Sequence, residues 1–149
     1  MYTGLLHLHN ILRWVILILL IVSIIQSYST KSGKPGSGIN KSSLFLLIAA
    51  HTTLLIGLYQ YFTGAWGFKA IQENGMSEVM KNSALRFWAV EHITGMLIAI
   101  VLITIARGKV KKSLYSTAFW LYIVALIFIL VTIPWPGREG IGRPLFPGT

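Results

Sequence analysis

Long apolar runs alternate with short polar stretches along this chain. Four of the runs cover residues 5–28, 43–62, 85–106 and 114–134. Each is long enough to cross a bilayer, which takes about 20 residues of helix. Apolar runs of this length are helical, because lipid offers no partners to an open backbone. The pattern predicts an all-α fold, a four-helix transmembrane bundle in a single membrane domain over residues 1–149.

The polar stretches predict the connections between these helices. Residues 29–42 are rich in Ser, Gly and Lys, which predicts a flexible first loop. The longest connection covers residues 63–84, where Gln72 to Ser83 predicts a short interfacial helix with a break at Asn74-Gly75. The third connection, residues 107–113, is short and basic. The proline-rich tail cannot continue the last helix beyond Pro134.

The positive charge predicts the orientation of the bundle. The formal net charge is +9, and basic residues concentrate in the first and third connections: Lys31, Lys34, Lys41, Arg107, Lys109, Lys111 and Lys112. Cytoplasmic loops carry such an excess. This predicts an up-down-up-down bundle with both termini on the outer, periplasmic side. Trp14, Trp66, Trp88 and Trp135 would then form an outer interfacial belt. Charge placed in this way gives no support for nucleic-acid binding.

The chain contains no cysteine, which narrows the chemistry that it can carry. Disulfides, thiolate metal sites, iron–sulfur clusters and covalent c-type haem attachment are excluded. Histidine, arginine and glutamate within the apolar runs are therefore the candidate functional residues. Ionisable groups at membrane depth are costly and persist mainly where they pair, bind or move protons.

His92 is the first candidate ligand for a metal or haem. Its helical face carries Trp88, Ala89, Gly95, Met96 and Ala99. The small residues among these predict a shallow trough beside the imidazole that a flat macrocycle could occupy. The alternative is that the same small residues allow two helices to pack closely, as is common in membranes.

His51 and His9 are the other two candidates. His51 lies deep in the second run among apolar residues, so it either binds a ligand or stays neutral and hydrogen-bonded to a neighbouring helix. His9 lies closer to the predicted outer boundary, where an unliganded histidine costs less. From the predicted helix starts, His92 lies between the other two in depth, with steps of about 8 Å. His92 is thus common to either pairing, and the sequence leaves its partner open.

Three charged residues lie near these histidines. Arg13 shares a helical face with His9, and Arg86 also lies toward the outer side. Both could pair with haem propionates, while Arg13 could instead snorkel to lipid headgroups. Glu91 could orient an imidazole, relay protons or form an ion pair with Arg13 or Arg86. The ion pair is preferred, because Glu91 points away from the His92 face.

Several motifs together resemble a known family. They are Leu6-His7-Leu8-His9-x-x-Leu12-Arg13-Trp14, His51 followed by Leu54-Leu55-x-Gly57-Leu58-x-x-Tyr61-Phe62, Arg86-Phe87-x-Ala89-Val90-Glu91-His92, Met96-Leu97-Ile98-Ala99 and Ile133-Pro134-Trp135-Pro136. Over nearly its whole length the chain resembles short bacterial integral membrane proteins labelled cytochrome b or cytochrome b-like. The resemblance implies a multi-pass protein of the bacterial inner membrane. Two-haem cytochromes b need four ligands, and this chain offers three, so one haem is expected.

Three functions are consistent with these features. The first is a membrane electron-transfer protein that holds one haem b through two of His9, His51 and His92, with a quinone or a larger respiratory-type complex as partner. The second is a cofactor-free accessory subunit with a buried His/Arg/Glu network. The third is a proton or metal-ion path through the histidines and Glu91. A homo-oligomer is compatible with each of them.

Overall fold

The computed structural model describes residues 2–30 and 37–146, and these residues form helices without any strand. The helices are α1 (Tyr2–Ser29), α2 (Ser37–Thr63), α3 (Phe68–Lys81), α4 (Ser83–Arg86), α5 (His92–Lys111) and α6 (Tyr115–Thr132). A π-helical turn, Phe87–Glu91, joins α4 to α5. The segment from Ser83 to Lys111 is therefore one long helix with an irregular first part.

Within the described residues, four helices are long and apolar enough to cross a membrane: α1, α2, Ser83–Lys111 and α6. This confirms the all-helical fold and the four apolar helices that the hydrophobic pattern predicts. The chain therefore has the elements of a multi-pass membrane protein. Many large apolar side chains, such as Ile18, Leu55 and Val131, lie exposed on the outside of the helices, where lipid would cover them.

The four long helices pack around one common core. α1 contacts α2 and α6, and α5 contacts α2 and α6. The core contains residues of all four, including Leu20, Leu46, Ala99, Ile103 and Ala125, and it is rich in alanine on α5 and α6. Small side chains let helix backbones approach closely, which is how helices associate when lipid removes the hydrophobic driving force between them.

The helix boundaries differ from the predicted ones in informative places. α1 begins at Tyr2, three residues before the predicted start at residue 5. α2 begins at Ser37, inside the stretch expected to be a flexible loop; residues 31–36 of that stretch lie outside the described residues. α6 ends at Thr132 because Ile133 precedes a proline and takes extended angles, φ −69° and ψ 135°.

The longest connection contains the short helix expected there. α3 starts at Phe68, four residues before the predicted Gln72, and is interrupted at Gly75, which has a φ of +76°. Glycine reaches this left-handed region at no steric cost, so it is the residue at which a helix can kink. The Asn82 side chain then caps α4 by accepting the backbone N–H groups of Ala84 and Leu85 at 3.0 and 3.1 Å.

One polar cluster lies within the bundle away from the histidines; we call it the serine–arginine cluster. The Ser42 hydroxyl donates to the Gln26 side-chain carbonyl at 2.6 Å. The Arg107 guanidinium donates to Asn40 and Ser43 at 3.0 and 3.1 Å. These bonds tie the end of α1 and the end of α5 to the start of α2.

Candidate functional site

The C-terminal end of α6 presents a row of carbonyl groups that helix geometry alone cannot satisfy. The N–H groups that would bond the carbonyls of Leu130 and Thr132 belong to positions 134 and 136, and both positions are proline. Side chains take their place. The Trp135 indole donates to the Leu130 carbonyl at 2.8 Å, and Arg138 donates to the Val131 carbonyl at 3.4 Å.

His92 satisfies the carbonyl of Thr132. Its Nδ1 lies 2.8 Å from that oxygen, which joins the start of α5 to the end of α6. A carbonyl only accepts, so Nδ1 carries the proton and donates, and the neutral ring keeps its lone pair on Nε2. This is the arrangement in which a backbone carbonyl fixes the tautomer of a metal-binding histidine.

Gly95 is what allows Thr132 to come so close to α5. A Cβ atom at position 95 would collide with the Thr132 side-chain methyl. Gly95 and Ala99 are both buried in the contact between α5 and α6. The small residues on the His92 face therefore serve close helix packing, and on this side α6 fills the trough that the sequence suggested as space for a macrocycle.

The π-helical turn immediately before His92 sets the directions of two functional side chains. The His92 N–H bonds the Phe87 carbonyl, five residues earlier. In a regular α-helix the neighbours on one face are three and four residues apart. The turn instead brings Arg86 and Glu91, five apart, into an ion pair with 2.7 Å between Nε and Oε1. Such turns occur frequently at functional sites.

This ion pair is the alternative that the sequence favoured for Glu91. Glu91 is exposed, and Arg86 also donates to the Met80 carbonyl at 2.9 Å. Glu91 therefore balances the charge of Arg86 and does not bond the His92 imidazole. Aromatic rings cover His92 instead, with the centroids of Phe87 and Trp88 lying 5.9 and 5.6 Å from the imidazole centroid.

His9 reaches the same place from α1. Its ring centroid lies 6.4 Å from that of His92, with the ring planes at 64°. Its Nδ1 is buried with no hydrogen-bond partner among the described residues, although the Thr53 backbone lies beside the ring. A Cβ added to Gly57 of α2 would lie 3.2 Å from the His9 Cε1, so the absent side chain at Gly57 makes room for the ring.

The difference in depth between His9 and His92 is smaller in the structure than predicted from the sequence. α1 starts at Tyr2, so His9 lies seven residues into its helix, and His92 lies nine residues after Ser83. At 1.5 Å per residue these depths differ by about 3 Å, compared with the predicted 8 Å. We refer to His9, Gly57, His92 and Thr132 as the histidine cluster.

His51 is placed elsewhere. It is exposed on α2, and its Nδ1 lies 2.9 Å from the carbonyl of Leu47, one turn earlier on the same helix. This bond satisfies one ring nitrogen within the helix itself. Between the histidine cluster and the serine–arginine cluster the core is apolar, with Leu20, Ala50 and Ala99 all buried. This apolar layer argues against the proton or ion path through the histidines.

Arg13 holds the C-terminal tail against α1. Its Nη2 donates to the Leu145 carbonyl at 2.7 Å, and the Trp14 indole donates to the same oxygen at 2.9 Å. Trp14 also stacks on Phe146, with 5.7 Å between the ring centroids. Arg13 and Arg86 thus both have protein partners, and their role at haem propionates stays a prediction. The Nε of Arg13 is buried and has no partner among the described residues.

The sequence pattern does not identify two members of the cluster, Gly57 and Thr132. Thr132 acts through its backbone carbonyl, a group that every residue type has. The available sequence signal is Pro136, four residues later, because proline has no N–H group to bond this carbonyl. Small residues such as Gly57 are common in membrane helices. The role of Gly57 becomes visible only in the structure, where the ring of His9 lies against it.

Comparison of the chain with protein-family models, curated proteins and solved structures finds no match. The resemblance to cytochrome b-like proteins therefore stays a prediction. Among the residues that the structure describes, no group of three or more His, Cys, Asp or Glu side chains could hold a metal ion. The His9–His92 pair brings two imidazole rings together, with 6.4 Å between their centroids.

The close contact between Gly95 and Thr132 leaves no space for a larger side chain at position 95. Gly95→Ala should destabilise the protein by about 1–3 kcal/mol, because the added methyl overpacks a filled contact. Thermal unfolding in detergent micelles measures the effect. Gly108→Ala on the same helix is the matched control, since nothing lies within 4 Å of a Cβ at Gly108, and it should not destabilise.

The double variant Gly95→Ala/Thr132→Ser tests the cause of that loss. Serine lacks the methyl that meets the new Cβ, so the double variant should recover part of the lost stability. Equal stability of Gly95→Ala and the parent protein would contradict the account of this contact.

Proposed function

We propose that the protein is a small membrane electron-transfer protein that holds one haem b between His9 and His92. The observation that carries the proposal is the half-buried pair itself, with imidazole centroids 6.4 Å apart on α1 and α5. An imidazole nitrogen lies about 2.0–2.1 Å from a bound metal such as zinc, so two rings that share one metal ion have centroids about 6 Å apart. The 6.4 Å spacing of the pair supports two imidazoles that would hold one iron.

The number of ligands favours haem over a bare metal ion. A structural or catalytic metal such as zinc takes three or four protein ligands. Haem iron takes at most two from the protein, since the porphyrin supplies the rest. The buried Nδ1 of His9 without a partner and the Nε2 lone pair of His92 fit this donor set. His51 is exposed and bonded within its own helix, so His9 is the better partner for His92.

Each neighbouring residue has a role in this proposal. Bound there, the haem supplies one-electron chemistry. The Thr132 carbonyl holds the His92 ring in place and makes it a stronger ligand. Phe87 and Trp88 keep water away from the ring. The unpartnered Nε of Arg13 can bind a propionate through a charge-assisted bond, while Arg86 is already neutralised by Glu91.

Electrons would pass to or from a membrane quinone or a larger respiratory-type complex, with the lipid bilayer as the surroundings. A second copy of the chain is compatible with the exposed apolar surface. The proposal includes the up-down-up-down topology, with both termini on the outer side of a bacterial inner membrane. The basic residues at positions 107–112 and in the first connection support it.

The absence of cysteine makes the topology easy to test. In spheroplasts, a membrane-impermeant maleimide should label Glu139→Cys in the tail but should leave Lys112→Cys in the α5–α6 turn unlabelled. After lysis both should react, because both positions are exposed. Labelling of Lys112→Cys but not of Glu139→Cys in intact spheroplasts would reverse the orientation.

A cofactor-free accessory subunit is the second candidate function, and one observation favours it. α6 fills the space at Gly95 that would otherwise lie beside His92, and His92 has a structural bond to Thr132. In this case the histidine cluster holds α1, α2, α5 and α6 together. The protein would then carry no chromophore and would co-purify with larger subunits.

The absorption spectrum of protein produced with ample haem distinguishes the two functions. The parent protein should show a Soret band that sharpens on reduction. His92→Ala and His9→Ala should each lose this band or weaken it strongly, because each removes a side chain that would hold the haem iron. His51→Ala is the matched control and should keep the band, because His51 is exposed and away from the pair.

The conservative variant His9→Met guards against the chance that alanine variants do not fold. Methionine can also bind haem iron, so this variant should keep the band at a shifted wavelength and raise the reduction potential. A parent protein without a Soret band would overturn the proposal. Loss of the band in His51→Ala with retention in His9→Ala would overturn the choice of ligands.

A further inference from the structure

A shallow groove of about 340 Å³ runs along the outside of α5 and α6, away from the histidine cluster. It is lined by Leu102, Ser116, Thr117, Trp120, Leu121 and Val124. Its polar lining comes from Ser116 and Thr117, in the first turn of α6, and the other lining side chains are apolar. The lining of the groove thus has hydroxyl groups at one end and apolar side chains along the rest of its length.

Lysines stand at the hydroxyl end of this groove. Lys109 lies seven residues after Leu102 on α5, so the two share a helix face with Lys109 two turns further on. Its carbonyl accepts the backbone N–H groups of Lys112 and Leu114 at 3.1 and 3.0 Å, which places Lys109 at the turn that leads into α6. Lys111 and Lys112 in this turn are exposed.

No carboxylate of the described residues forms an ion pair with these lysines. The four acidic residues of the chain are Glu73, Glu78, Glu91 and Glu139, and none lies between residues 92 and 138. Among the described residues, the ion pairs are Lys81 with Glu78 and Arg86 with Glu91, both far along the chain from this turn. The lysine turn therefore presents positive charge that a negatively charged molecule from outside the protein would neutralise.

Trp120 adds an aromatic wall at the middle of the groove. Trp120 is 63% exposed. The other four tryptophans lie elsewhere in the chain, near the histidine cluster, in the tail or in the connection after α2. Exposed tryptophan in a membrane protein is typical of the interface between headgroups and acyl chains. Trp120 lies five residues after the first residue of α6, so it is little more than one helical turn from the lysine turn. This is the distance expected for a tryptophan at that interface if the lysines lie among the headgroups.

We propose that this groove binds an anionic phospholipid. The lipid phosphate contacts Lys109, Lys112 and the hydroxyls of Ser116 and Thr117, and one acyl chain lies along the apolar walls beside Trp120. The negative headgroup and apolar chain of such a lipid match the charge and polarity along the groove. Each lysine close to an anionic lipid surface strengthens binding by about five-fold, which corresponds to roughly 1 kcal/mol. A zwitterionic lipid fits the hydrocarbon part equally well but leaves the lysines unbalanced.

Quenching of Trp120 fluorescence by brominated lipid tests the proposal on the full chain in vesicles. Vesicles of phosphatidylcholine contain a minority of either brominated phosphatidylglycerol or brominated phosphatidylcholine. The signal of Trp120 is the difference between the parent protein and Trp120→Phe. We expect the brominated phosphatidylglycerol to quench Trp120 well beyond its share of the lipid, and the brominated phosphatidylcholine only in proportion to its share.

The charge dependence separates this site from general lipid contact. Lys109→Gln/Lys112→Gln should lower the preference for phosphatidylglycerol at Trp120 by about five-fold for each lysine. Lys69→Gln/Lys81→Gln is the matched control, because it removes the same charge from α3, and it should keep the preference. Equal quenching by the two brominated lipids, or an unchanged preference in Lys109→Gln/Lys112→Gln, would overturn the proposal.

Discussion

The bond between His92 and the carbonyl of Thr132 is the interaction on which the candidate site depends. Pro134 and Pro136 lack the N–H groups that would bond the last carbonyls of α6, and His92 supplies the missing donor for the carbonyl of Thr132. An unpaired carbonyl within lipid would cost several kcal/mol. Gly95 makes the bond possible by letting Thr132 approach α5. The orientation of His92, the contact of α5 with α6 and the free Nε2 all follow from this arrangement.

The two glycines of the site act in the same way on opposite sides. Gly95 admits Thr132, which orients His92, and Gly57 admits the ring of His9. Each missing side chain is thus filled by a neighbour that belongs to the histidine cluster. The π-helical turn adds a third adjustment, because it pairs Arg86 with Glu91 and leaves His92 directed inward. These three features place two half-buried imidazoles together in a largely apolar setting.

The hydrophobic pattern predicts the helices well, because membrane length and backbone satisfaction leave few alternatives. The choice between His9 and His51 depends on where α1 begins and on which face of α2 is exposed, and the hydrophobic pattern determines neither. Because α1 starts at Tyr2, His9 lies within about 3 Å of the depth of His92, whereas His51 is exposed on α2. Irregular backbone such as the turn at Phe87–Glu91 has no clear signature in one sequence, so the sequence leaves the partner of Glu91 open between two arginines, and the structure pairs Glu91 with Arg86.

A double-mutant cycle on unfolding stability tests the pairing of His9 with His92 most directly, and it does so whether or not a cofactor binds. His9→Ala, His92→Ala and the double variant should give a coupling energy of about 0.5–3 kcal/mol, as residues in contact do. The same cycle with His51 and His92 should be additive within about 0.3–0.5 kcal/mol. Additivity of His9 with His92, together with coupling of His51 to His92, would contradict the account.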